Sequence, residues 1–268
     1  ELTLTRAVIK IKSVKSAMID KNLGYIRLSQ FQENSFKEMA DAVKTLKKEG
    51  AKGFILDLRN NGGGLLNEAI LVSSIFLPSQ KTVVFTRDRN KREQHYMTES
   101  VNVKDTERPL VVITNEWSAS ASEIVAGALQ DYKRAIIAGK TTFGKGSVQS
   151  VIPMGDGSAV KLTTSRYYTP ADRSIQGVGI TPDIEVEPGK VDYSSDYYVV
   201  REKDLSGHLK GENETADTVS AKGKDNKNSV EAIAEAEARI LPSKEDLQYI
   251  SAVQLLKGMM VYGGASNK

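Results

Sequence analysis

The chain has 268 residues, 40% of them hydrophobic, with 37 Lys and Arg against 34 Asp and Glu for a formal charge of +3. That composition supports a real core and excludes wholesale disorder, while the near-balance of charge argues against a dedicated nucleic-acid binder. There is no cysteine and there are two histidines, His95 and His208, so disulfide scaffolds, thiolate metal sites, cysteine nucleophiles and histidine metal clusters are excluded.

The opening ELTLTRAVIKIKS alternates like a strand and reads as the interior of a longer protein rather than a translation start. No run approaches the roughly 18 apolar residues of a membrane-spanning helix, and the basic-then-apolar opening of a signal peptide is missing. From residue 24 to about 187, strand-like and helix-like signals alternate, which marks an α/β domain. A short strand is expected at 24–28. A helix carries Phe36, Met39, Ala40, Val43 and Leu46 on one face, opened by a Ser35-x-x-Glu38 capping box and stopped by Gly50. A buried strand is expected at 54–58, a helix at 65–76 after the Asn61-Gly-Gly-Gly64 turn, and further strands at 82–86, 110–114, 135–138, 147–152 and 159–168. The polar stretch 88–108 reads as a surface loop or hairpin. Residues 201–228 have the composition of a linker. Over 246–256, Leu247, Ile250, Val253 and Leu256 share a helical face that needs a partner, either the main domain or a second subunit. The organisation expected is a strand segment over 1–23, a core over 24–190, and a linker with a helical extension over 191–268.

Three turns carry chemistry. The strand 110–114 runs into Glu116-Trp-Ser-Ala-Ser-Ala-Ser-Glu-Ile124, a strand-to-helix turn that puts a hydroxyl and helix-start N–H groups at the sheet's carboxyl edge, where a nucleophile and a developing oxyanion belong. The plainer reading is that Ser120-x-x-Glu123 is a capping box. The turn Arg59-Asn-Asn-Gly-Gly-Gly64 faces the same edge and frees backbone N–H groups to meet a substrate oxygen, or simply connects strand to helix; Asp57 and Arg59 read as a structural ion pair. The segment Gly139-Lys-Thr-Thr-Phe-Gly-Lys-Gly146 matches most of a Walker A pattern, but Gly146 replaces the metal-binding hydroxyl and a strand follows where a helix is required. It reads better as the holder of a buried lysine, with Lys145, Ser147 and Gln149 on one face of a strand. A lysine serves as a general base only when desolvation lowers its pKa from about 10.4 to roughly 7 or 8. The bland alternative is a surface lysine in a glycine turn.

Together DLRNNGGG (57–64), SASASEI (118–124), TFGKGSVQ (142–149) and GVGITPDIEV (177–186) closely resemble the carboxy-terminal processing, or tail-specific, proteases. The resemblance implies a mixed sheet flanked by helices, crotonase-like, with a C-terminal helical extension. It implies a serine endopeptidase that needs no cofactor or metal and in which lysine replaces histidine as the base. Matched motif to motif, Ser120 is the nucleophile, Lys145 the base and Gln149 the residue that positions the lysine. The backbone N–H groups of Ala121 and Gly64, the latter chosen over Gly63, meet the oxyanion. Also implied are a PDZ domain before this chain's first strand, export to the periplasm or cell envelope, and protein or peptide substrates bound as an extended strand at exposed or unfolded C-terminal regions. The C-terminal helix is expected to dock on the core or form a homo-oligomer. The competing readings are a catalytically silent peptide-binding module and a nucleotide binder at 139–146.

Overall fold

The computed structural model describes residues 12–192 and 241–265. The linker expected at 201–228 and most of the strand expected at 2–14 lie outside the described residues. In chain order the elements are β1 (Val14–Ile19), β2 (Leu23–Leu28), α1 (Ser35–Lys48), β3 (Gly53–Asp57), α2 (Leu66–Phe76), β4 (Thr82–Asp88), β5 (Glu93–Met97), β6 (Leu110–Thr114), α3 (Ala121–Asp131), β7 (Ile136–Gly139), β8 (Ser147–Pro153), β9 (Ala159–Tyr168), β10 (Ile184–Glu185) and α4 (Leu247–Ala265).

The main sheet has the order β1-β2-β3-β6-β7-β10. The β1–β2 hairpin is antiparallel and every later pair is parallel, so the sheet is mixed, as expected. Period-two alternation divides its side chains between two faces. Ile26, Leu28, Phe54, Leu56, Leu110 and Val112 join the core under α1, α2 and α3. Leu23, Tyr25, Ile55, Val111 and Ile113 join a second cluster under α4. Because β3 and β6 are buried on both faces, they read as continuous apolar runs. A second, antiparallel sheet has the order β5-β4-β9-β8, with β8 at its edge.

Three expectations are corrected. The Ser35–Glu38 capping box does not form. Asn34 occupies the N-cap at φ 75°, and the Glu38 carboxylate instead accepts the N–H groups of Ser13 and Val14 and the Ser13 hydroxyl, tying α1 to β1. The strand β1 itself, whose burial hardly alternates, lies beyond the expected 2–14 strand. The third correction is the docking face of α4. Its most buried residues are Gln248, Ala252 and the expected Leu256, with the expected Val253 packed beside them, while Leu247 and Ile250 are only half-buried; Gln248 accepts from Arg59 Nη1 at 3.2 Å and donates to the Val186 carbonyl at 2.9 Å. The helix docks on the core: a Cβ placed on Gly53 would meet Leu256 at 2.9 Å.

Leu256 is fully buried, so Leu256→Ala is expected to cost about 2–5 kcal/mol by leaving a cavity, measured by urea denaturation; a change within about 0.5 kcal/mol, usual for surface sites, would contradict this docking.

Two phenols make the same interface sensitive to alkali. Tyr25 donates to Asp57 Oδ2 at 2.8 Å, and burial, followed by the Asp57 charge, pushes its ionisation far above the ordinary phenol range. Tyr249 stands edge-on to Tyr25 at 5.7 Å and is pushed up to about 12, chiefly by burial and then by Asp20 and Asp246. Protons held in the fold but released by the unfolded chain contribute stability that is complete below about pH 10. It is lost as the pH climbs toward Tyr249's value of about 12. The urea midpoint should therefore fall over that window, and Tyr249→Phe should flatten the decline.

Candidate active site

The parallel strands β3, β6 and β7 deliver the loops 58–65, 115–120 and 140–146 to one edge, the carboxyl edge where open α/β sheets hold their ligands. Asn61 knots the first two together. It is wholly buried; its Nδ2 donates to the Leu28 carbonyl at 2.8 Å and its Oδ1 accepts the Gly63 N–H at 2.9 Å. Its own carbonyl accepts the Ala119 N–H and the Ser122 hydroxyl, each at 2.9 Å. The Ser118 hydroxyl donates to the Leu58 carbonyl at 2.9 Å. Of the three serines in SASAS, the outer two therefore spend their protons on carbonyls of the glycine loop.

The central one, Ser120, is partly exposed and sits at φ 55°, ψ −110°. A non-glycine residue in such a region costs of order 1–3 kcal/mol and persists only where its surroundings enforce it. Here the enforcement is close backbone contact: a Cβ on Gly63 would lie 2.6 Å from the Ala119 carbonyl and 2.8 Å from Ser120 Cβ. Gly63 sits at φ 95°, so glycine is needed both for the conformation and for the approach. The Gly63 N–H is committed to Asn61, whereas those of Gly64 and Ala121 meet no acceptor among the described residues. Ala121 opens α3, where the first N–H groups lack intrahelical partners.

Glu123 joins the third loop to this turn. Its side chain is fully buried. Oε2 accepts the N–H groups of Ser120 at 2.7 Å and Lys145 at 2.9 Å; Oε1 accepts the Thr142 hydroxyl and the Gly144 N–H, each at 2.6 Å. Thr142 Oγ1 in turn accepts the Ile180 N–H at 2.7 Å, so the GVGI segment is held as well. The capping reading of Glu123 thus describes one of its four hydrogen bonds. Neither Glu123 nor Asn61 stood out in the sequence as a site residue; the signal for Asn61 was its place just before three glycines.

Lys145 and Gln149 are exposed, and among the described residues no hydrogen bond joins the side chains of Ser120, Lys145 and Gln149. The expectation of a lysine buried within this segment is corrected. Lys145 lies two residues before β8, an edge strand paired only with β9, and burial of its amine requires something laid against that open side. The ladder also slips between Val148 and Gln149, leaving Thr164 without an opposite residue. The phosphate-loop alternative fails on geometry, since β8 follows Lys145 in place of a helix N-terminus. Asp57 and Arg59 form the expected buried ion pair at 2.7 Å, and Arg59 Nη1 extends it to Asp246 at 2.8 Å. Burial opposes the Arg59 charge, but its bonds to Asp57 and Asp246 outweigh that cost and hold the guanidinium above its ordinary pKa. Among the described residues no group of three His, Cys, Asp or Glu side chains is placed to hold a metal ion.

A family model described as Peptidase family S41 matches residues 22–186. The chain belongs to that family. It is 40% identical to a carboxy-terminal-processing protease of Bartonella bacilliformis over 98% of this chain and 58% of the relative. It is 43% identical to a carboxyl-terminal-processing protease of Synechocystis sp. over 72% of this chain and 46% of the relative. Among solved structures, the photosystem II D1 C-terminal processing protease is similar with a TM-score of 0.62 and 37% identity, covering 68% of this chain and 50% of that one. The S41 chain spans about half the length of these curated relatives.

Because one carboxylate holds two loops of this S41 chain, Glu123→Gln, which lacks the second accepting oxygen and the charge, is expected to destabilise by about 2 kcal/mol or more. Hydrogen exchange at the Gly144 and Lys145 amides should accelerate by about tenfold or more. Unchanged exchange at both would show that the loop holds itself.

Proposed function

We propose that residues 24–190 are the protease core of a serine endopeptidase acting through a Ser-Lys dyad, with Ser120 as nucleophile, Lys145 as base and Gln149 orienting the lysine. The observation that carries this reading is the division of labour in SASAS: Ser118 and Ser122 are locked to carbonyls, while Ser120 alone is set in a strained turn against Gly63, between the helix start at Ala121 and a glycine turn in which the Gly64 N–H is uncommitted. The Ser120 hydroxyl attacks a peptide carbonyl as its proton passes to Lys145. The two N–H groups stabilise the oxyanion. The amine then returns the proton to the leaving nitrogen, and water releases the acyl-enzyme by the same route.

The open edge of β8, which starts two residues beyond Lys145, suits an extended substrate adding as a further strand. The added strand covers the lysine and supplies the desolvation a neutral amine needs. On this reading the substrates are exposed or unfolded C-terminal regions of proteins in the cell envelope, reached by export and selected with the help of a PDZ domain in the whole protein. The C-terminal extension, 191–268, contributes to a homo-oligomer. No helix among the described residues is long and apolar enough to cross a membrane.

Ser120→Ala and Lys145→Ala, made separately, should each lower casein cleavage by about a thousandfold or more, and a fluorophosphonate should label a peptide spanning residues 118–124. Cleavage surviving in both variants would refute the dyad, and binding without any cleavage in the unaltered protein would favour a silent peptide-binding module.

A further inference from the structure

The hydrogen bonds of Glu123, Asn61 and Thr142 gather four loops around Ser120, and each loop carries one large apolar side chain left in water. Leu65 follows the glycine turn and is 52% exposed, Trp117 precedes the serines at 66%, Phe143 precedes Lys145 at 61%, and Val178 lies in the GVGI segment at 64%. Backbone contacts make them neighbours of the turn rather than scattered surface residues. The Phe143 N–H donates to the Ser118 carbonyl at 3.0 Å, and the Gly177 N–H donates to the Gly144 carbonyl at 2.9 Å. A Cβ on Gly144 would meet the Val178 nitrogen at 3.2 Å, and Gly63, two residues before Leu65, packs on Ser120.

Single exposed apolar residues need no explanation, but a cluster contributed by every loop of one site marks a binding surface. Each of these residues lies in a loop whose backbone is already fixed by the site, so the exposed area does not arise from a frayed end. The loops that carry these side chains are bonded to the turn that holds Ser120, where a substrate carbonyl must sit, which commits the occupant to a peptide segment passing over Ser120.

We propose that Leu65, Trp117, Phe143 and Val178 form an apolar rim that selects extended peptide segments with hydrophobic side chains beside the scissile bond, an inference that rests on Ser120 being the reacting group. A hydrophobic side chain covered by such a rim gains roughly 1.5 kcal/mol or more over a charged one, or at least about tenfold in affinity.

Trp117 is the only tryptophan in the sequence, so it reports its own burial. Ser120→Ala, which binds without turnover, would be titrated with a peptide carrying Leu, Val and Phe at its centre and with the same peptide carrying Asp and Lys there. The apolar peptide should shift the emission to the blue and bind at least about tenfold more tightly. Phe143→Ser should weaken that binding by about tenfold, whereas Val261→Ser, on the far end of α4, should leave it unchanged. Equal affinity for the two peptides, no blue shift, or full affinity in Phe143→Ser would each overturn the rim. Because this readout involves no chemistry, a chain that binds as expected yet is not labelled at Ser120 by a fluorophosphonate would fail the dyad and keep the rim as a peptide-binding surface.

Discussion

A carboxylate sealed from water must be satisfied by donors from the protein, and Glu123 finds all four of its donors in the two loops that carry Ser120 and Lys145. Hydrogen bonds to a charged group are among the stronger ones, and leaving such a group unsatisfied costs more than the bond gains. The loops are therefore not free to drift apart independently. Any displacement of the 142–145 segment strands part of a buried charge, while any displacement of the serine turn strands the rest. Among the described residues the Glu123 carboxylate is held by N–H and O–H dipoles, with no cationic side chain bonded to it.

Asn61 does for the glycine turn what Glu123 does for the lysine segment. A side-chain amide has both donor and acceptor capacity, and here the donor end fixes the turn to β2 while the acceptor end takes the Gly63 N–H. That capture of Gly63 leaves the N–H groups of Gly62 and Gly64 without an acceptor among the described residues. The same economy operates in the serine turn. Two hydroxyls serve as fasteners, and the strain at Ser120 is tolerable because those fasteners flank it.

The sheet strands and helices were legible where burial imposes a period. β3 and β6 matched their sequence signals closely, since two-sided burial leaves a mark. β1 left none, because only its two end residues are buried and the four between them are exposed or half-covered without alternation. Partners distant in sequence account for the other misses. Glu38 looked like a cap for α1 until Ser13 and Val14 claimed it, and Glu123 looked like a cap for α3 while three of its four donors lie 19 to 22 residues away. The burial expected for Lys145 rested on alternation and flanking glycines. Those describe how a strand can be approached but not whether anything covers it.

The short stretch from Asp57 to Asn61 couples the two faces of the sheet. Asp57 and Arg59 point toward α4, where Tyr25, Asp246 and Gln248 meet them. The Leu58 carbonyl, the Asn60 backbone and the Asn61 side chain serve the opposite side, holding Ser118, Asn115 and Gly63. Alternation thus carries from Asp57 to Arg59 before the chain turns at Asn60, at φ 59°, and these few residues are divided between helix docking and the serine turn. The ion pair read from sequence as structural therefore joins the start of α4 to the stretch that leads into the glycine turn, even though α4 packs on the other face of the sheet.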